Sequence, residues 1–259
     1  MCWTKASHHD FVLVDVCRTP GRRISGVSIS FSIGNLVERE LLVHFDTTRD
    51  PATNLLYETE LFAKVDGGAL PEVARFWVNS ECLVRGEARN AKYGWYREDV
   101  ATKMEIPVLT RSTGGGVVFH DEGNLNWSFF LRNSGPFLSP TAAFDAGSKY
   151  IVKALESQGI HAKFSPPNRI DVSGRKVSGM AARFTVRTML VHGTLLIDSD
   201  LEKLNALCVP PADSPPVSNL TEWSSHISAA AVVDSVTAVL KDSGFHVRIV
   251  DTISRHNGK

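Results

Sequence analysis

Apolar residues in this sequence recur at two spacings, every second residue or every three to four, and stretches of the two kinds alternate. The first kind predicts strands at Phe11–Val16 and Gly26–Ile33, around the turn Arg18–Arg23, and again at Glu40–Phe45. Asp50 followed by Pro51 is a helix start, with Leu55, Tyr57, Glu58, Leu61 and Phe62 on the turns after it. Short strands are predicted at Arg75–Asn79, Glu81–Gly86 and Ile106–Arg111. Leu125, Trp127, Phe129 and Leu131 alternate with polar residues, as in a strand with one buried face. Ser139 and Pro140 open a helix that carries Phe144, Ile151, Ala154 and Leu155, and Gly159 stops it. Asn168–Gly179 reads as a hairpin turned at Ser173 and Gly174, and Met189–Asp198 as a further strand. A short helix at Asp200–Leu207, a proline-rich loop at Pro210–Pro216, a helix of about 16 residues ending near Gly244 and a strand at His246–Val250 complete the chain. Hairpins interleaved with helices imply an α+β fold of mixed, largely antiparallel sheets flanked by helices, and not a doubly wound parallel sheet.

The 259 residues, 43% of them hydrophobic, can fill the core of one sizeable domain with a small appendage. Because 28 basic side chains balance 28 acidic ones, no net field favours nucleic acid or a membrane surface, and binding must come from a shaped site. Cys2, Cys17, Cys82 and Cys208 are too scattered for a metal motif and too few for a disulfide scaffold, which suits a reducing compartment. No apolar run reaches the roughly 20 residues of a membrane span, and Asp10 and Asp15 interrupt any signal-peptide core. The expected location is the cytoplasm, a mitochondrial one being compatible.

Three segments carry chemistry. In Arg111–Asn124, three successive glycines lead into a β-branched run and then His120-Asp121 and Gly123-Asn124. A strand follows and no Gly-Lys-Ser/Thr does, so this is not the phosphate loop of nucleotide hydrolases, nor does it have dinucleotide-fingerprint spacing. A cradle of main-chain N–H groups for an anion and a tight structural turn both remain open. In the second segment, Gly174–Gly179, strict alternation puts Lys176 and Ser178 on one side of a strand, with Arg175 and Val177 on the other. That side is either a ligand-facing floor or a solvated surface. In the third, His192 precedes Gly193 and Thr194 on an apolar strand, as a ligand contact or as a satisfied core histidine.

Taken together and in this order, the segments resemble the catalytic domain of the lipoate–protein ligase A family, in the biotin/lipoate A/B protein ligase fold. The likeness rests on Arg-x-x-Gly-Gly-Gly-x-Val-x-His-Asp-x-Gly-Asn, Gly-Arg-Lys-x-Ser-Gly and His-Gly-Thr-Leu-Leu, and runs from about Leu41 to about Trp223. It implies that lipoate and ATP form lipoyl-AMP, whose acyl group then passes to a lysine of an acceptor domain protein. By that resemblance Lys176 is the catalytic cation. Arg111, Gly115, Gly116, Ser178 and His192 are assigned to lipoate. Thr113, Gly114, Val118, Phe119, His120, Asn124, Asn168 and Thr194 are assigned to the nucleotide. Mg²⁺ is expected to be held largely by ATP, since no metal cage is visible in the sequence. The pair His120 and Asp121 is expected to hold the loop shape.

The sequence also departs from that family. Arg169 follows Asn168 where Asp is usual, and Asp171 is placed on the same strand side to substitute for it in part. Arg85, Glu87 and Arg89 stand where aliphatic, basic and Gln residues are usual, and Glu87 beside a triphosphate would repel it. The expected organisation is a β-rich extension over residues 1–40 and a catalytic domain over 41–259. The family's small C-terminal domain is expected to be missing, so that an accessory subunit takes its role, the protein works on preformed lipoyl-AMP, or the chain manages alone. The rivals are an octanoyl or lipoyl transferase working through a cysteine thioester, for which Cys82 and Cys208 lie away from the Lys hairpin, and an inert relative that only binds lipoyl-AMP or an acceptor.

Overall fold

Pro51 presets the first turn of α1 (Pro51–Asp66), and the Asp50 carboxylate accepts the Thr53 N–H at 2.7 Å, so this helix begins where the sequence puts it. The computed structural model describes residues 39–87, 94–133 and 140–253. The strands expected at 11–16 and 26–33, the Ser139 cap and Arg89 lie outside the described residues.

The strands are β1 (Arg39–Asp46), β2 (Glu72–Val78), β3 (Cys82–Arg85), β4 (Trp95–Tyr96), β5 (Val108–Thr110), β6 (Val117–His120), β7 (Asn124–Arg132), β8 (Ala162–Ser165), β9 (Arg169–Val172), β10 (Arg175–Phe184), β11 (Thr188–Leu196), β12 (Cys208–Val209) and β13 (Phe245–Ile249). Between them lie α2 (Glu98–Lys103), α3 (Pro140–Ser157), α4 (Leu201–Leu207) and α5 (Ala229–Asp242). Eight strands form one sheet in the order β13-β1-β2-β7-β11-β10-β9-β8, parallel at β13-β1-β2 and antiparallel elsewhere. A three-stranded sheet, β5-β3-β6, and the pair β12-β4 complete the topology. The α+β architecture is therefore as the sequence implies. The short elements β4, α2, β8 and β12 carry too few residues to show a period and were not anticipated, and α5 has 14 residues.

The registers sort the side chains of the large sheet by face. Asp46, Trp77, Asn126 and Thr194 lie in one cross-strand row, and His44, Arg75, Ser128 and His192 in the next on the same face. Ala74, Phe129 and Val191 lie in a row on the opposite face, which packs with α3 and α5 into the main core. A second core lies under α1, where Tyr57, Leu61 and Phe62 meet Leu42, Val73 and Phe130. Here the expectation for β7 needs correction. Asn124, Asn126, Ser128 and Phe130 are buried along with their apolar neighbours, because α1 and the cavity wall cover the face that alternation assigned to solvent.

The β9-β10 hairpin turns at Ser173 and Gly174 as expected, with φ of 49° and 79°, the left-handed pair that a two-residue turn needs. At Gly123, a Cβ would fall 2.0 Å from the Asp198 carbonyl oxygen, while the Gly123 carbonyl accepts from Ile197 and Asp198. Backbone there cannot yield without breaking those bonds. Gly123→Ala is accordingly expected to lower the unfolding free energy by about 1–3 kcal/mol, read as a lower urea midpoint at unchanged slope.

Candidate functional site

The glycine triplet is folded around a cation. Arg111, at the end of β5, is 8% exposed and donates from Nη2 to the carbonyls of Gly114 (2.7 Å) and Gly116 (3.0 Å), and from Nη1 to Val84 (3.1 Å). Its Nε donates to Thr113 Oγ1 at 3.0 Å. Only Gly115 needs to be glycine for backbone reasons, with φ of 97°. Gly86 matters equally: a Cβ there would lie 2.4 Å from the Gly115 carbonyl oxygen, so a glycine outside the motif lets the triplet pass.

Behind this loop a hydrogen-bonded chain runs back to α1. His192 Nε2 meets Thr113 Oγ1 at 2.8 Å, and His192 Nδ1 meets Glu58 Oε1 at 2.9 Å. The Glu58 carboxylate also accepts from Ser128. Burial works against its charge, yet His192, Ser128 and Arg75 together hold Glu58 below the usual carboxylate range. Arg111 is lowered to about 10 by burial, with Glu58 opposing.

A cavity of about 450 Å³ opens in front of these groups. It is lined by the loop at Gly115 to Val118 with Arg111, by His192, Gly193 and Thr194 of β11 with Asn126 and Trp77, and by Asn168, Arg169, Lys176 and Gly179. Leu55 and Glu58 of α1 close the inner end, and Pro211 to Pro215 of the proline loop form the rim. Two backbone bonds, Lys176 N–H to Pro216 and Ser218 N–H to Lys176, pin that rim to β10. The Trp77 indole N–H is buried without an acceptor.

Lys176 is half-buried on the cavity wall, and no acceptor among the described residues bonds its ammonium. Burial lowers it from its ordinary value, Arg169 adding to the effect and Cys208 and Asp171 opposing it. Its placement depends on a bulge. Lys176 pairs with Asp171, but Ser178 pairs with Ile170 and Gly179 with Arg169, so Val177 is the extra residue. Strict alternation therefore fails, and Ser178 turns into the interior, 1% exposed, with Oγ unpartnered. Gly179 takes the place expected for it: a Cβ there would sit 3.0 Å from Lys176 Nζ.

Nine of the fourteen residues singled out from sequence thus line the cavity: Lys176, Arg111, Gly115, Gly116, His192, Val118, His120, Asn168 and Thr194. Five do not. Besides Ser178, Thr113 lies behind the wall as the link from Arg111 to His192, and the Phe119 side chain packs with Leu83, Ala101, Ile106 and Leu207. Gly114 stands off the wall, and Asn124 is wholly buried, donating to Asn126 with its own Oδ1 unpartnered. The His120-Asp121 pair divides its labour. Asp121 braces the loop by accepting from Gly123 and Asp200, whereas His120 faces the cavity and accepts at Nδ1 from Asn79 (2.9 Å). Asn79 Oδ1 accepts in turn from Asn54, itself bonded by Arg75, so this chain of donors fixes a neutral His120 with its Nε2–H free to donate.

The departures also find places. Arg85 sits over the Trp95 ring, and Glu87 lines a shallow groove beside α1 that shares Leu55 and Arg111 with the cavity, without lining the cavity itself. Cys208, expected to lie away from the Lys hairpin, is close enough for its charge state and that of Lys176 to affect each other. Glu58, Trp77, Asn126 and Asp213 line the cavity without having been singled out. Asn54 and Glu58, four apart on an otherwise apolar helix face, were the legible signal, since buried polar groups need partners. No cluster of three metal-ligating side chains occurs among the described residues, and no helix among them is long and apolar enough to cross a membrane.

Residues 50–241 match the family of the lipoyl protein ligase A/B catalytic domain. A probable lipoate-protein ligase A of Mycoplasma pneumoniae is 33% identical over 154 residues, 60% of this chain and 44% of that protein. Lipoate–protein ligase 1 of Staphylococcus aureus is 34% identical over 164 residues, 63% of this chain and 48% of that protein. The chain thus spans about half the length of the curated relatives it matches. In fold it is similar to a crystal structure of lipoate-protein ligase A bound with ATP (TM-score 0.72, 22% identity, 85% of this chain and 90% of that one). It is also similar to the bipartite lipoate protein ligase of Thermoplasma acidophilum, described with its E2 lipoyl domain (TM-score 0.71, 20% identity, 84% and 88%).

The buried titratable groups set the acid response. Burial, aided by Arg111 and His192 and opposed by Glu58, pushes His120 down to about 3. An unfolded histidine takes its proton near 6.5, so between these values the unfolded chain binds more protons and stability falls as pH falls. Glu58 and Asp46, both held below their ordinary values, add stability at neutral pH that is lost as they protonate. Urea midpoints are expected to drop steadily from about pH 7 to about pH 4.5, and the His120 ring resonances to show no titration in that window.

Proposed function

The chain belongs to the lipoyl protein ligase A/B catalytic domain family, and on that premise we propose that it activates lipoate with ATP and transfers the lipoyl group to a lysine of an acceptor protein. The observation that carries this reading is the Lys176 ammonium, half-buried, without an acceptor among the described residues, and lining the same cavity as Gly115 and Gly116. A buried cation without a counter-ion is costly unless a ligand supplies the charge.

The chemistry then has two steps. The lipoate carboxylate attacks the α-phosphorus of ATP and pyrophosphate leaves; the acceptor amine next attacks the acyl carbon, the amide forms, the acyl–phosphate bond breaks and AMP departs with the amine's proton lost to solvent. Both steps move negative charge across the bridging oxygen, so a fixed cation beside it favours each transition state over its ground state. Lys176 is that cation and acts protonated. Thr194 and Asn168 flank it, and the loop amides cover the opposite side. His120 offers an Nε2–H donor toward the nucleotide, and the pocket between Trp77, His192 and Leu55 takes the acyl chain. Mg²⁺ held through the phosphates of ATP would neutralise the leaving pyrophosphate. Asp213, exposed on the rim, attracts the incoming acceptor ammonium. The Thermoplasma acidophilum relative is bipartite, which supports a separate accessory subunit for activation. The unpaired Cys82 and Cys208 suit a reducing interior, cytoplasmic or mitochondrial.

A second reading, transfer through a cysteine thioester, has one observation in its favour, the proximity of Cys208 to Lys176. Burial outweighs Lys176 and Arg97 and pushes the Cys208 thiol up to about 11, so it stays protonated at neutral pH and is a poor nucleophile.

Mass spectrometry of a lipoyl acceptor domain incubated with the protein, lipoate, ATP and Mg²⁺ should show one added lipoyl group, with lipoyl-AMP supplied in parallel. Lys176→Ala is expected to slow transfer by roughly 10²- to 10³-fold, and Cys208→Ser by less than about 2-fold, the outcome opposite to that of a thioester route. No mass shift with either donor refutes the proposal.

A further inference from the structure

Arg169 occupies a position where the family resemblance implies a carboxylate, and its surroundings differ from those of a compensating surface charge. It pairs across the hairpin with Gly179, over which the Lys176 side chain lies, so the two cations share one patch of the cavity wall. The Asp171 carboxylate, 3% exposed, accepts on both oxygens from the Arg169 Nε–H, at 3.1 and 3.0 Å. That contact holds the Nε edge of the guanidinium and leaves both terminal nitrogens without an acceptor among the described residues. Asp171 is thereby consumed. Any other role for Asp171 would mean surrendering an ion pair from a buried site.

The other carboxylates near the cavity are placed no better to hold a metal against this wall. Glu58 is engaged by His192 and Ser128, and Asp213 is exposed on the proline loop. Two cations held beside one glycine repel each other until an anion sits between them, and a planar guanidinium with both terminal nitrogens free matches a phosphate in bidentate fashion. Resting on the lipoyl-AMP reading above, we propose that Arg169, oriented by Asp171, forms with Lys176 a two-cation subsite for the phosphate of the acyl adenylate, so that binding of the activated acyl group at this wall needs no divalent ion. The subsite selects donors activated through phosphate over uncharged thioesters. It also explains why a cation is tolerated here: it does the neutralising that a carboxylate-held metal would do.

Isothermal titration of the full chain with lipoyl-AMP, AMP and inorganic pyrophosphate, each with EDTA and with Mg²⁺, tests this. Wild-type affinity for lipoyl-AMP and AMP should change by less than about 2-fold on removal of the metal. Arg169→Gln should weaken both by roughly 10- to 100-fold, the range of a lost charge-assisted hydrogen bond, and leave lipoate binding unchanged. Since that variant strands a buried carboxylate, the double variant R169Q/D171N is the folded control and should show the same loss, while Arg169→Lys should recover part of it. Unaltered lipoyl-AMP affinity in Arg169→Gln or the double variant overturns the subsite while leaving the ligase reading intact. Wild-type pyrophosphate binding that Arg169→Gln abolishes, with no binding of lipoyl-AMP, overturns the acyl-adenylate assignment together with the ligase reading. Strict Mg²⁺ dependence of AMP binding, or no anion binding by the wild type, also overturns it.

Discussion

Arg111 holds the site together. A guanidinium that donates to two carbonyls of the glycine turn, one of β3 and the Thr113 hydroxyl gives that turn a shape its own residues do not dictate, because successive glycines have more accessible conformations than other residues. The cation is buried, so its charge must be answered. The answer comes through Thr113 and His192 from Glu58, whose carboxylate lies at the far end of a continuous hydrogen-bonded chain from α1 through β11 to the loop. Partly satisfied, such a chain would be a liability; with each link bonded, it ties the helix, the sheet and the loop to one geometry.

The large sheet makes room for this chain by treating its two faces differently. One face is apolar and packs against α3 and α5. The other carries Asp46, Arg75, Asn126, Ser128, His192 and Thr194 in register, an unusual density of buried polar groups, each needing a partner. Arg75 is the extreme case, fully buried, bonded to Asp46 and Asn54 and lying 4.7 Å and 4.3 Å from the Tyr57 and Trp77 ring centres. From it a one-way line of donors passes through Asn54 and Asn79 to His120. Stability and chemistry share these groups, since the same bonds that satisfy the polar face decide which nitrogen of His120 looks into the cavity.

How far this was legible in sequence follows from the range of the forces involved. Helix starts and the Ser173-Gly174 turn are local, and they fell where Asp50, Pro51 and the two left-handed residues place them. The order of glycine turn, Lys strand and His strand was also legible, since each is a contiguous segment, and nine of their residues do meet at one cavity. The errors came from longer-range causes. A single extra residue at Val177 swaps Ser178 for Gly179 on the wall, and no alternation rule announces a bulge. Phe119 follows the alternation of β6, but which of its faces would be buried depends on α2 and α4, elements that pack against it from elsewhere in the chain. Glu58, Trp77 and Asn126 reach the cavity from α1, β2 and β7, and only the assembled sheet brings them there.

The same distinction bears on what a substitution within a family can mean. Read along the chain, Arg169 is a reversal of charge with Asp171 as a partial remedy two residues on. In the fold the two are partners, and their bond takes the carboxylate out of play while aiming the guanidinium. A charge reversal that merely had to be tolerated would be expected to point its cation at solvent, because bringing a second cation beside a buried lysine raises the cost of both. Here it is held on the cavity wall beside Lys176, at the energetic expense of a lysine already disfavoured by burial. Asp171 answers part of that charge, and an anionic ligand between the two cations would answer the rest.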